Sequence, residues 1–150
     1  MIDFRPARAD EAAVLTALCL RSKAVWGYDQ AFLDACLPEL SMTPENITAS
    51  HVRVAESGGR VVGVACLEIH GRDAELDKLF VEPSQLGKGV GRALFTWAVE
   101  TARRSGARAL RIDCDPGAVP FYSRMGAEED GLVPSGSIAG RMLPRMKVRL

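Results

Sequence analysis

The stretch "SQLGKGVGR" at residues 84–92 places glycines at 87, 89 and 91 around Lys88 and ends on Arg92. Glycines remove the Cβ atoms that keep a ligand away from backbone amides, and amides at the start of a helix attract anions. The chemistry offered is capture of a phosphate or diphosphate, with Lys88 and Arg92 adding positive charge. Two nucleotide patterns fail on spacing. A Walker A loop requires Ser or Thr after its lysine, and here Gly89 follows Lys88. The dinucleotide fingerprint G-x-G-x-x-G, counted from Gly87 or Gly89, meets Arg92 or Leu94 where its third glycine belongs. The preceding strand also carries Asp77 and Lys78, unlike the uniformly apolar first strand of a nucleotide fold.

Residues able to move protons lie in the segments on either side of this loop. Glu68 closes one apolar run, Asp77 lies within the next, and Tyr122 stands in "PFYSRMGA". His70 beside Gly71 reads as an exposed turn residue, and His51 as the start of a strand. Cys19, Cys36, Cys66 and Cys114 are far apart in apolar contexts, without a C-x-x-C or paired histidines, so neither a disulfide framework nor a metal site is expected.

The elements that must position these residues follow from periodicity. "IDFRPA" alternates as a short strand. "ADEAAVLTALCLRSKAVW" has Val14, Leu15, Leu18 and Cys19 at helical spacing behind an expected Asp10 cap. "DQAFLDACLPEL" predicts a second helix ending around Pro38, and "SMTPENITAS" a capped turn. "HVRVAE" and "RVVGVACLEIHG" flank the hairpin signal "SGG", and "ELDKLFVEP" is the next strand. Strand parity assigns Asp77, Leu79 and Val81 to one face and Leu76, Lys78 and Phe80 to the other. After the glycine loop, "VGRALFTWAVETARRSGA" presents Val90, Leu94, Trp97, Ala98 and Thr101 on one face, with Gly106 as C-cap. A strand "RALRIDCD", a short helix opening at Pro116 and two final strands complete the chain.

The expected fold is α/β (α+β): a single domain over residues 1–150, with a mixed, mostly antiparallel central sheet flanked by helices. The element order is β-α-α-β-β-β-α-β-α-β-β. Lys+Arg and Asp+Glu are equal at 19 each, so no global field draws nucleic acid or an acidic membrane. The basic cluster Arg141, Arg145, Lys147 and Arg149 reads as the solvated face of the last strand. No apolar run reaches the ~18 residues of a membrane span, no signal peptide is expected, and a cytoplasmic location is.

"LFVEPSQLGKGVGRALFTWAVETARRSGA" resembles the acyl-CoA-binding signature of the GNAT superfamily of N-acetyltransferases, a strand ending V-x-P followed by R/Q-x-x-G-x-G/A. "DPGAVPFYSRMGA" is similar to that superfamily's next segment, N-x-x-A-x-x-x-Y-x-x-x-G-F. The departures are Leu86 at the Arg/Gln position, Asp115 at the Asn and Ala127 at the final Phe. The resemblance implies acetyl-CoA or another acyl-CoA as co-substrate, without a metal, and an amine acceptor; homodimers are frequent in the superfamily. By the same resemblance, the backbone of Leu79, Phe80 and Val81 pairs with pantetheine. Leu86, Gly87, Lys88, Gly89, Val90, Gly91 and Arg92 hold the pyrophosphate, and Ala118, Phe121 and Tyr122 line the far wall.

Acyl transfer from a thioester to an amine requires a base for the ammonium, donors for the oxyanion and a proton for the departing thiolate. Tyr122 occupies the superfamily's proton-donor position, Asp77 and Glu68 are the candidate bases, and an amide near Phe80 or Val81 is the expected oxyanion donor. The acceptor site implied by the fold contains Trp26, Tyr28 and Arg141, with Arg21, Lys23 and Phe32 nearby; Arg141 and Lys23 facing the pocket would favour an acceptor carrying a carboxylate or phosphate. The rival function is a CoA-binding sensor or regulatory module with the same fold.

Overall fold

The computed structural model describes residues 1–150. The opening alternation forms β1 (Ile2–Pro6), which pairs antiparallel with β2 (His51–Ser57). Between them run α1 (Ala12–Ala24), α2 (Gln30–Leu40) and α3 (Pro44–Ala49). α1 buries Leu15, Leu18 and Cys19 completely, but Val14 turns to solvent. Asp10 does not cap it. Its carboxylate bonds Arg8, while Glu11 accepts from the Arg8 N–H at 2.8 Å and stabilises the 3-10 turn that precedes the helix. α2 continues past Pro38 to the buried Leu40, so proline does not end it. The capped turn at 43–46 is realised as α3, with Thr43 and Asn46 bonding each other's backbone amides.

β3 (Arg60–His70) and β4 (Asp73–Val81) complete a meander whose first turn carries Gly58 and Gly59 at positive φ. A 3-10 turn at Pro83–Gln85 and the glycine loop lead into α4 (Val90–Arg104). β5 (Ala109–Asp113), α5 (Val119–Arg124), β6 (Glu128–Pro134) and β7 (Met142–Arg149) follow. The sheet order is β1-β2-β3-β4-β5-β7-β6, and β4–β5 is its only parallel pair. α1 and α2 cover one face through Val52, Val54, Val64 and Cys66; α4 covers the other through Ala65, Leu67, Leu76 and Val81. On α4 the core position expected for Trp97 belongs to Phe95, which is fully buried, whereas Trp97 is partly buried at the margin.

Two irregularities shape the centre of the sheet. β4 and β5 pair only from Asp73–Ala109 to Glu75–Arg111, after which β4 continues to Val81 without its neighbour. Across the β3–β4 ladder, Lys78 stands opposite Cys66 and Leu76 opposite Leu67, so Asp77 has no partner. This bulge breaks the alternation expected from strand parity. Leu76 joins Leu79 and Val81 on the α4 face, while Phe80 packs on the α1 face.

Candidate active site

Where β4 and β5 part, a cavity of about 830 Å³ runs from the glycine loop through the sheet to the α1–α2 layer. At its loop end Gly87 and Gly89 have φ of +77° and +84°, a region that costs other residues roughly 1–2 kcal/mol, so glycine is required at both. Gly89 is the N-cap of α4, where unpaired amides and the positive end of the helix dipole meet. Leu86, Val90, Gly91 and Arg92 also line the cavity; Lys88 lies outside its wall. Leu86 is half-exposed and places no charge there.

Along the gap, the Glu82 N–H donates to the Val62 carbonyl at 2.8 Å. Alternation of an antiparallel ladder then directs the Phe80 amide to β3, whereas the amides of Leu79 and Val81 face away from β3 into the gap. The outward donors are therefore Leu79 and Val81, and Phe80 contributes its side chain to the α1 layer. On the opposite wall stand Ala118, Phe121 and Tyr122. Tyr122 is buried against Phe95 and Phe121, with ring centroids 5.6 Å and 5.1 Å away. Burial, followed by the nearby Cys114, pushes its phenol well above its ordinary pKa, so it stays protonated throughout the neutral range.

The end of the cavity facing α1 and α2 is rich in carboxylates. Glu68 and Glu75 are opposed across β3–β4, and Asp77 and Asp113 border them. Asp77 bonds the mostly buried Lys78 at 2.6 Å, Asp113 bonds Arg145 at 2.7 Å, and Glu68 pairs with the exposed His70 at 3.2 Å. Glu75 has no ion pair. Burial, then the fields of Asp113, Asp77 and Glu68, raise its carboxyl above the ordinary glutamate value. A carboxylate with a raised proton affinity facing a cavity is a better base than one held by a cation. Sequence reasoning passed over Glu75; the available signal was its position across the "HGRD" turn from Glu68.

The acceptor residues expected from sequence divide. Trp26 lines the cavity with its ring lying over Gly117, where an added Cβ would come within 2.6 Å of it. Tyr28 and Arg141 stand behind the wall. Tyr28 stacks on Phe32 at 3.9 Å, and Arg141 lies over both rings while donating to the Tyr28 hydroxyl at 2.6 Å. Tyr28, Lys23 and Arg141 all converge on Asp115 Oδ2. Burial pulls the Asp115 carboxyl upward, but the Tyr28 hydroxyl, the Gly117 amide and Lys23 together hold it below the ordinary range. The Tyr28 phenol is pushed up to about 12, by burial and by Asp115. The two cations are thus engaged with a protein carboxylate, and Arg21 is likewise engaged with Glu82 at 2.6 Å.

The sequence profile of the acetyltransferase (GNAT) family matches residues 20–127. The chain belongs to the GNAT acetyltransferase family. An uncharacterized N-acetyltransferase of Methanocaldococcus jannaschii is 38% identical over 90 residues, covering 53% of this chain and 40% of that protein. The glucosamine 6-phosphate N-acetyltransferase of Trypanosoma brucei brucei is 33% identical over 75 residues, covering 45% of this chain and 51% of that protein. The matched regions therefore span about half or less of these relatives. In fold, the PaiA N-acetyltransferase of Thermoplasma acidophilum, crystallised with coenzyme A, superposes with a TM-score of 0.83 at 17% identity, over 100% of this chain and 99% of that one. The GNAT fold accounts for the parted strands and for the loop-to-helix step at their end. No helix of this GNAT domain is long and apolar enough to cross a membrane.

Proposed function

We propose that this protein is an acyl-CoA-dependent N-acyltransferase that transfers acetyl from acetyl-CoA to the primary amine of a small molecule or peptide, by direct attack within a ternary complex. The observation that carries this reading is the cavity where β4 leaves β5, with amide donors on one wall, Tyr122 on the other and the glycine loop at its end. The coenzyme A bound to the Thermoplasma relative and the acetyl-CoA bound to an acetyltransferase of Salmonella typhimurium support it.

The residues fit such a co-substrate. The open amides of the loop suit a diphosphate, and the outward amides of β4 suit an extended pantetheine arm, as an added strand would. Acyl-CoA supplies the activated thioester; the chain supplies positioning and proton transfer. Val81 lies nearer the loop and Leu79 deeper, so an arm entering from the loop meets Val81 first. Leu79 N–H is then the donor best placed for the thioester carbonyl oxygen and for the charge that grows on it. At the inner end, Glu75 takes the proton of the incoming ammonium, with Glu68 and Asp77 as its carboxylate neighbours. As the C–S bond breaks, Tyr122 gives its proton to the departing sulfur; the attacking nitrogen sheds its second proton to solvent as the amide forms, which balances the proton that Tyr122 then takes back.

A covalent acyl-enzyme is disfavoured by the thiols themselves. Burial pushes both Cys66 and Cys114 up to about 11, which leaves little thiolate at neutral pH. The decisive assay is CoA release from acetyl-CoA across a panel of amines, preceded by thermal stabilisation with CoA. Stabilisation with turnover on at least one amine supports the enzyme. Stabilisation with silence on every amine favours the CoA-binding sensor, and no stabilisation removes both.

A further inference from the structure

Of the two β4 amides that face the gap, Val81 N–H meets a side chain from the other layer: it donates to Ser22 Oγ of α1 at 3.3 Å. Ser22 lines the same cavity, and no protein group accepts its own hydroxyl proton. Ser22 is 59 residues from Val81 in sequence and lies outside the glycine-loop and Tyr122 motifs. Its geometry is that of a second donor. A hydroxyl oxygen beside an amide N–H can rotate its proton about Cβ–Oγ, so both donors point at one oxygen arriving from the cavity. A carbonyl oxygen has two lone pairs and can take both.

We propose that Ser22 is a cofactor-binding residue: its hydroxyl donates to the pantetheine amide carbonyl that docks on Val81 N–H. The inference rests on the acyl-CoA reading above and extends the cofactor site from β4, the loop and α5 to α1. The arm's carbonyl displaces Ser22 Oγ from the Val81 amide and gains the serine proton, so the two hydrogen bonds formed outnumber the one lost. Val81, at the loop side of Leu79, serves the arm rather than the acyl group. The consequence is a residue that sets cofactor affinity and leaves the acyl-transfer step to others.

Calorimetric titration of the full chain with CoA and with 3′-phosphoadenosine 5′-diphosphate, the nucleotide part without the arm, tests the assignment. Ser22→Ala should bind CoA about 3- to 10-fold more weakly, as expected for one lost hydrogen bond, with the nucleotide affinity unchanged. Ser22→Thr, which keeps the hydroxyl, should restore CoA binding. Because alanine is the better helix former, the variant should fold, and an unchanged melting profile checks this. CoA affinity equal to or tighter than wild type in Ser22→Ala, or equal losses for both ligands, overturns the proposal. A wild-type chain that binds no CoA overturns the acyl-CoA reading itself.

Discussion

Glu68 and Glu75 face each other directly across the β3–β4 ladder, two carboxylates in register on the side of the sheet that α1 and α2 cover. Like charges so placed oppose each other by several tenths of a kcal/mol, and Asp113 and Asp77 add to the field at Glu75. The proton affinity that suits Glu75 to be a base is thus obtained at some expense of stability.

Glu75→Gln should therefore separate activity from stability. Turnover should fall by about 10²-fold, the range for a general base. Stability at pH 7 should rise by only about 0.5 kcal/mol, because solvent screens much of the repulsion at the half-buried Glu75. A carboxyl whose folded pKa lies above its ordinary 4.5 favours folding below that value and opposes it as pH rises through the folded pKa. The gain in melting temperature should thus be present at pH 7 and vanish near pH 4. Turnover unaffected by the substitution would leave Glu68 or Asp77 as the base.

Tyr122→Phe should lower kcat by tenfold or more, on the order of 1.4 kcal/mol, with little change in CoA affinity. The ring remains packed against Phe95 and Phe121, so loss of fold is not expected. Steady-state kinetics paired with CoA titration make the comparison, and an unchanged kcat removes the proton-donor role.

In the loop, Gly89→Val should abolish CoA binding while the chain still folds. Space around Gly89 is open, so the penalty comes from its φ of +84° and from the side chain placed over the anion-facing amides. Leu86→Arg should act oppositely and tighten CoA binding, because it adds a cation to a site now held by amides and Arg92. Titration of both variants decides, and weaker binding by Leu86→Arg would contradict this account of the loop.

Asp115→Asn should loosen the joint between α1, the α1–α2 loop and the β6–β7 loop, costing about 1–3 kcal/mol as Lys23 and Arg141 lose their shared carboxylate. The Asp115 carboxyl is held below its ordinary 3.8, so its contribution is complete above that pH and disappears as pH falls through the lowered value. The wild-type and variant denaturation curves should accordingly converge in strong acid. Tyr28 is one of only two tyrosines, which makes ultraviolet titration informative: its pKa should drop from about 12 in the variant.

Much of this architecture was legible from residue order. Periodicity located every strand and the principal helices, and the resemblance of the V-x-P strand with its Gly89–Gly91 loop, and of the segment around Tyr122, pointed to the family that the profile match shows. Misread positions share a cause. Local preference favours Asp10, Pro38 and Trp97, whereas Glu11, bound by Arg5 of β1, the buried Leu40 and Phe95 prevail through contacts with other elements. The parity of β4 failed because a bulge is a property of two strands together, and Asp77 alone does not announce it.

The sequence by itself determined the short-range parts of the site: the left-handed glycines, the helix start they cap, and the strand that leads into them. These depend on φ preferences and periodicities spanning a few residues. Tertiary structure alone decided which groups meet. Arg141 reaches Tyr28 across 113 residues, Ser22 reaches Val81 across 59, and Glu75 acquires its raised proton affinity from burial and then from carboxylates on three strands. Such contacts are set by how the layers close over the parted β4 and β5. Their energies arise from burial and fields that exist only once distant segments share one cavity.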